Sequence, residues 1–147
     1  PGLRVLDKMA VKDGGGTNHR MGLYDMAMIK DNHIKMAGGI AKAVEQVRAR
    51  IAEGIKIEVE TTTLDEVHQA IEAGADIIML DNMDNNTMTE AVSIIKAANK
   101  GIKTEASGNM NIPRLKEVAA TGVDYISVGA LTHTVKGMDI SMNITIE

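Results

Sequence analysis

Two short patterns recur in this chain, and together they leave little choice of fold. Gly54-Ile55-Lys56 is echoed by Gly101-Ile102-Lys103, and Gly74-Ala75-Asp76 by Gly122-Val123-Asp124. Each copy frames the same unit: an apolar strand, a helix, a Gly-x-Asp turn and a second strand. Strands that alternate with helices through short connections call for parallel pairing and right-handed crossovers. The chain is therefore expected to be an α/β protein.

The remaining segments fit that rhythm. Leu3, Val5, Leu6, Met9 and Ala10 recur at helical spacing, and Gly14 to Gly16 stop that helix, with Gly14 expected as a left-handed cap. Met26–Ile29 reads as a buried strand. Ile40, Ala43, Val44, Val47 and Ile51 mark a helix closed by Gly54, and Lys56–Glu60 is the next strand. Leu64–Ala73 is a helix that Thr63 opens, with Glu66 completing a capping-box pattern and Gly74 ending it. Then come Ile77–Leu80 (strand), Met88–Ala98 (helix), Lys103–Ala106 (strand), Ile112–Ala120 (helix, Pro113 in its first turn) and Tyr125–Val128 (strand). The tail after Gly137 reads as weakly structured. Five parallel strands amount to roughly five eighths of a full (β/α) barrel. An open doubly wound sheet and an incomplete barrel both satisfy the pattern; the repeat favours a barrel segment, whose open edges would invite self-association.

With 147 residues the chain is a single domain with one core. A net charge of -4 with both signs interspersed argues against a broad nucleic-acid footprint, so any anion must be held in a focused pocket. Two tyrosines, no phenylalanine and no tryptophan leave no platform for base stacking. The absence of cysteine excludes disulfides and thiolate metal sites. No apolar run reaches the ~20 residues of a membrane span, and no secretory pattern opens the chain, so a soluble cytoplasmic protein is expected. The start at Pro1-Gly2, directly ahead of a helical pattern, is read as the beginning of a trimmed or processed form.

Function is concentrated between Gly14 and His33. Three consecutive glycines (14–16), His19, Arg20, Lys30, Asp31, Asn32 and His33 crowd around a buried strand, which a segment needed only for stability would not do. Ligands in parallel α/β folds gather at the carboxyl ends of strands. In order, those ends carry Lys30, Glu60, Asp81, Ser107-Gly108-Asn109 and Gly129-Ala130-Leu131-Thr132-His133. Glu58 and Glu60 alternate with Ile57 and Val59, so both carboxylates share one face and need a cation. Lys30, Arg20 or a divalent metal held with Asp81 would serve, magnesium being typically bound by one or two carboxylates plus phosphate oxygens. The bland reading of each glutamate is a structural salt bridge. The small-residue loops 107–109 and 129–130 offer backbone N–H groups to a phosphate, or are plain turns. His19-Arg20 suits carboxylate or phosphate capture, against a surface capping pair. Asp31, Asn32 and His33 either orient Lys30 or touch substrate. His68 reads as solvent-exposed, and His133 as a loop ligand or partial plug.

The ordered strings GGGTNHR, IKDNH, IEVET, IMLDN, EASGN and SVGALTH closely resemble the quinolinate phosphoribosyltransferase family over essentially the whole chain. The resemblance implies an incomplete α/β barrel and phosphoribosyl transfer from phosphoribosyl pyrophosphate to quinolinate with decarboxylation, a step of NAD biosynthesis. It implies that His19, Arg20 and Lys30 face the quinolinate carboxylates, and that Glu60 and Asp81 sit at the ribose and at magnesium diphosphate. Ser107, Gly108, Asn109, Gly129 and Ala130 would hold the 5-phosphate, with Lys30, Glu60 and Asp81 the catalytic set.

The resemblance also implies a dimer and an N-terminal sandwich domain. That domain, the family's Arg-Lys-Thr stretch ahead of Pro1 and the first barrel strand are expected to be missing here. Two other readings are a catalytically silent, self-associating barrel fragment and a related barrel with another substrate.

Overall fold

The computed structural model describes residues 2–145. In chain order the elements are α1 (Arg4–Asp13), β1 (Met26–Ile29), α2 (Asp31–Ala37), α3 (Ile40–Arg48), β2 (Lys56–Thr61), α4 (Leu64–Ala73), β3 (Ile77–Asp81), α5 (Asn85–Ala97), β4 (Lys103–Ser107), α6 (Ile112–Ala120), β5 (Tyr125–Ile126) and α7 (Ala130–His133). The strands form one parallel sheet in the order β1-β2-β3-β4-β5. A doubly wound sheet reverses its strand order part-way; this one does not, so it is a barrel segment. No described helix is long and apolar enough to cross a membrane.

Side-chain parity separates the two faces of the sheet. Ile57, Val59, Ile78, Leu80 and Ala106 join Val44, Val67, Val92 and Ile95 from the helices in one core. The alternate residues, Glu58 and Glu60 on β2, Met79 and Asp81 on β3, and Glu105 and Ser107 on β4, therefore line the concave face. Across that face run α1 and the following loop, with α1 packed against α7. Leu3, which caps α1, and Val5, Leu6 and Met9 on it are each more than half exposed, so this helix has an uncovered apolar side.

The Gly-x-Asp repeat has a structural purpose. The Asp76 carboxylate accepts the Ile57 N–H at 2.7 Å and a hydrogen bond from Arg48 at 2.9 Å, while the Asp76 N–H donates to the Ile57 carbonyl. Asp124 makes the same arrangement with Thr104, at 2.9 Å from its N–H. Each aspartate thus fixes the register of a strand on its preceding neighbour. Gly74 ends α4 in the left-handed conformation, with φ of 78°, and turns the chain into the first of these clamps. Asp76→Ala would strand the Ile57 N–H beneath the sheet. An unsatisfied buried donor costs roughly 1–3 kcal/mol, so the urea unfolding midpoint should fall by about 2 kcal/mol equivalent.

Several boundaries differ from the sequence expectation. Gly14 has φ of -75°, so it caps α1 without a left-handed turn. The helix from Ile40 ends at Arg48, ahead of Ile51. The fifth strand covers only Tyr125–Ile126, because Val128 and Gly129 already turn into α7. Thr63 caps α4 as expected, but Glu66 reaches back to the N–H and hydroxyl of Thr62, at 2.7 and 2.9 Å. Helix α5 begins three residues before Met88, because Asp84 accepts the Asn86 and Thr87 N–H groups. Helix α2 has no counterpart in the sequence reading. Beyond α7, residues 134–145 carry no regular element.

Candidate active site

The concave face presents its polar groups in two layers, one strand repeat apart. Same-face residues on a strand are separated by roughly 6.5–7 Å, and Glu58 and Glu60 occupy successive steps of β2.

The upper layer lies at the carboxyl ends of the strands. Lys30 Nζ is 3.7 Å from Glu60 Oε2. Burial raises the Glu60 pKa; Lys30 opposes that rise, and the nearby charge of Asp81 adds to it. The three residues expected to be catalytic therefore meet at one rim. Lys30 is half exposed, and such a pair stabilises a fold by only ~0–1 kcal/mol, so stability does not account for its placement. His33 holds the Lys30 backbone: its Nδ1 accepts the Lys30 N–H at 3.0 Å while α2 begins. Of the two roles open to His33, orientation of Lys30 is the one with a contact.

Next to Asp81 a network joins two loops. Asn82 donates to Asp81 Oδ2 at 2.7 Å and accepts from Asn109 Nδ2 at 3.1 Å. Asn82 and Asn109 both have left-handed backbones, with φ of 53° and 51°. Arg114 ties the same loops by donating to the Gly108 and Met83 carbonyls at 3.2 and 3.0 Å. Asn82 and Arg114 were not singled out in the sequence. Asn82 had a legible signal in its place after a strand-terminal aspartate; Arg114, inside a helix, had none. Among the described residues, the N–H groups of Gly108, Asn109, Gly129 and Ala130 have no hydrogen-bond partner. Ser107 closes β4 opposite Asp81.

The lower layer centres on His19. The loop after α1 carries this ring over the sheet, where Nε2 lies 3.3 Å from Glu58 Oε2 and 3.3 Å from Glu105 Oε2. Both contacts have ion-pair distance without hydrogen-bond alignment, so both Glu58 oxygens and Nε2 remain without a hydrogen-bond partner. Glu58 is 0% exposed. The cation expected for it was Lys30, Arg20 or a metal; the one in contact is His19. The Arg20 guanidinium instead donates to the Met26 carbonyl at 3.3 Å. A cavity of about 660 Å³ opens beside this layer, lined by His19, Arg20, Glu105, Ser127 and Gly129 among others. Lys30, Glu60, Asp81 and Ala130 are not among its lining residues. His19 and Arg20 thus lie one layer below the Lys30 rim, whereas the sequence reading grouped all three. His68 is exposed, as expected. The exposed His133 ring lies over Gly129, where an added Cβ would be 3.0 Å from Nε2.

Contacts with Glu105 and Glu58 raise the His19 pKa to about 9. The unfolded ring titrates near 6.5, so the folded chain holds this proton more tightly. The resulting stabilisation is complete below pH 6.5 and is lost as pH rises through 9. Burial raises Glu58 as well, in the same direction. With screening at a ring 30% exposed, the loss should be on the order of 1–2 kcal/mol, read as a falling urea midpoint between pH 6.5 and 9.

Comparison with known proteins supplies the family. Residues 1–143 match the model of the quinolinate phosphoribosyl transferase C-terminal domain. The chain belongs to that family. A probable carboxylating nicotinate-nucleotide pyrophosphorylase of Synechocystis is 50% identical over 144 residues, covering 98% of this chain and 49% of the relative. The corresponding Bacillus subtilis protein is 49% identical, covering 99% of this chain and 50% of its own length. The nicotinate-nucleotide pyrophosphorylase structure from Francisella tularensis superposes with a TM-score of 0.86 at 48% identity, over 92% of this chain and 47% of that one. The chain thus spans about half the length of the curated relatives it matches. The fold and family expected from the six strings are borne out, and the chain corresponds to the family's C-terminal domain.

Proposed function

We propose that this chain is the barrel half of an enzyme that transfers the phosphoribosyl group of phosphoribosyl pyrophosphate to quinolinate, releasing diphosphate and CO2 and giving nicotinate mononucleotide. The observation that carries this reading is the row Lys30, Glu60, Asp81 and Ser107 at the ends of four adjacent strands, with His19 and Arg20 one layer below. The names of the relatives support the same reaction.

In the first step the pyridine nitrogen forms a bond to the ribose anomeric carbon, and diphosphate departs with the electrons of the broken C–O bond. Positive charge builds on the sugar, where Glu60 and Asp81 supply fixed negative charge. Their paired carboxylates and the raised Glu60 pKa suit a divalent cation. Glu60 and Asp81 would hold magnesium, which when bound neutralises diphosphate charge. In the second step the C–C bond to the adjacent carboxylate breaks, its electrons enter the pyridinium ring, CO2 leaves and a proton takes its place. Lys30, His19 and Arg20 hold the two carboxylates, so their contribution is positioning. The unpaired N–H groups at 108, 109, 129 and 130 suit the 5-phosphate. A homo-oligomer fits the uncovered apolar side of α1.

Incubation with quinolinate, phosphoribosyl pyrophosphate and magnesium should yield nicotinate mononucleotide, detectable by chromatography. Absence of product together with absence of phosphoribosyl pyrophosphate binding would overturn the reading. Product from nicotinate in place of quinolinate would redirect the substrate assignment.

A further inference from the structure

Glu58 has no part in the reaction as described, yet it is fully buried, and Glu105 on β4 is 4% exposed. The two strands that carry them are separated by β3, roughly 9.5 Å apart. Among the described residues, only the His19 ring touches both carboxylates. Ser127, just after β5, donates its hydroxyl to the other oxygen of Glu105, which sets that carboxylate's direction. From α1, Lys8 Nζ donates to the His19 and Arg20 carbonyls at 3.0 and 3.1 Å, and Asn18 donates to the Lys8 carbonyl at 2.8 Å. The segment carrying His19 is therefore fixed at its backbone by Lys8 and at its ring tip by two acids.

We propose that Glu58 and Glu105 are positioning residues, a two-carboxylate clamp that sets the His19 ring and holds it as an imidazolium facing an anionic substrate group. The proposal rests on the reading of His19 as a substrate contact. A neutral ring with a bare Nε2 lone pair would point that lone pair at two carboxylates, so Nε2 carries a proton. The charge follows from the surroundings. The Lys8 ammonium is taken by main-chain carbonyls, the Arg20 guanidinium donates to the Met26 carbonyl, and the Asp124 carboxylate at the far end of the cavity is engaged by Lys103 and Thr104. Lys56 lines the amino-end side of the same cavity, but no described contact brings it to either acid. The imidazolium is thus the one cation in contact with both buried acids among the described residues. With Nε2 committed, Nδ1 has no partner among the described residues and is the ring donor left for a ligand carboxylate. Both carboxylates and the ring together carry one negative charge, and Lys8 on α1 and Arg20 beside the ring add two positive charges, leaving this wall net cationic toward an anion. The clamp therefore sets direction as well as charge, leaving a single ring N–H for the substrate.

The test is an NMR titration of the four histidine rings of the 147-residue chain without substrate, His19 being assigned through His19→Gln. The His19 midpoint should lie at least two pH units above that of exposed His68, and both Glu58→Gln and Glu105→Gln should lower it by more than one unit. Quinolinate affinity, measured by calorimetry, should be flat from pH 6 to 8.5 in the wild type and fall about tenfold over that range in Glu105→Gln. A His19 midpoint matching His68, or one unmoved in Glu105→Gln, overturns the clamp; the second variant keeps the test decisive should Glu58→Gln fail to fold. A raised His19 midpoint without quinolinate binding would support the clamp and count against the proposed reaction.

Discussion

Glu60→Gln is expected to slow phosphoribosyl transfer by about 10²–10³-fold, the range lost when one fixed electrostatic partner of a transition state is removed. Glutamine keeps the shape and removes only the charge. In the folded chain that charge lies between Lys30, 3.7 Å away, and Asp81. It is costly in the resting protein, because burial is the largest cause of its raised pKa. Taking it away should therefore leave stability at or slightly above wild type, so the rate loss and the fold separate cleanly. Steady-state kinetics of product formation read the rate, and titration of magnesium diphosphate should show weakened binding. Wild-type turnover in the variant would remove Glu60 from the catalytic set.

Gly108→Ala should damage both fold and phosphate affinity. Gly108 has φ of 89°, where an L side chain is strained, and its Cβ would press on the Asn82 side-chain oxygen and lie 2.9 Å from the Asn82 backbone nitrogen. The side chain has little room to move away. Asn82 donates to Asp81, accepts from Asn109, and pairs its N–H with the Ser107 carbonyl at 3.0 Å. Either the loop after β4 shifts or the one after β3 does, and both carry site residues. A cost of about 2–4 kcal/mol in urea unfolding is expected from strain plus overpacking, with at least a tenfold loss in affinity for phosphoribosyl pyrophosphate. A variant with an unchanged unfolding midpoint would refute the contact.

Much of this was legible in the residues, for identifiable reasons. The Gly-x-Asp repeat announced parallel strands because it frames strands that alternate with helices through short connections. The alternation of Ile57, Glu58, Val59 and Glu60 announced which face carried charge, since a strand has only two. Helix α2 was hidden because its N-terminal contact comes from the His33 ring, outside the usual set of capping side chains. The partner of Glu58 was hidden for a different reason: His19 reaches it through a loop that crosses the sheet, and no local spacing encodes such a crossing. Arg114 was illegible because its carbonyl acceptors belong to loops of special conformation that the sequence does not display.

The placement of both acid layers on one face of β2 ties the chemistry to simple parity. A residue added at the exposed turn 52–54 lengthens a connection and leaves the parity of β2 unchanged. The same residue added after Lys56, just a few positions later, would exchange Glu58 and Glu60 for their aliphatic neighbours, sending two acids into the hydrocarbon layer and two isoleucine- or valine-sized groups onto the concave face. Length variation along this gene is therefore bounded sharply at the start of β2: free on one side, and on the other able to erase core and catalysis in a single codon.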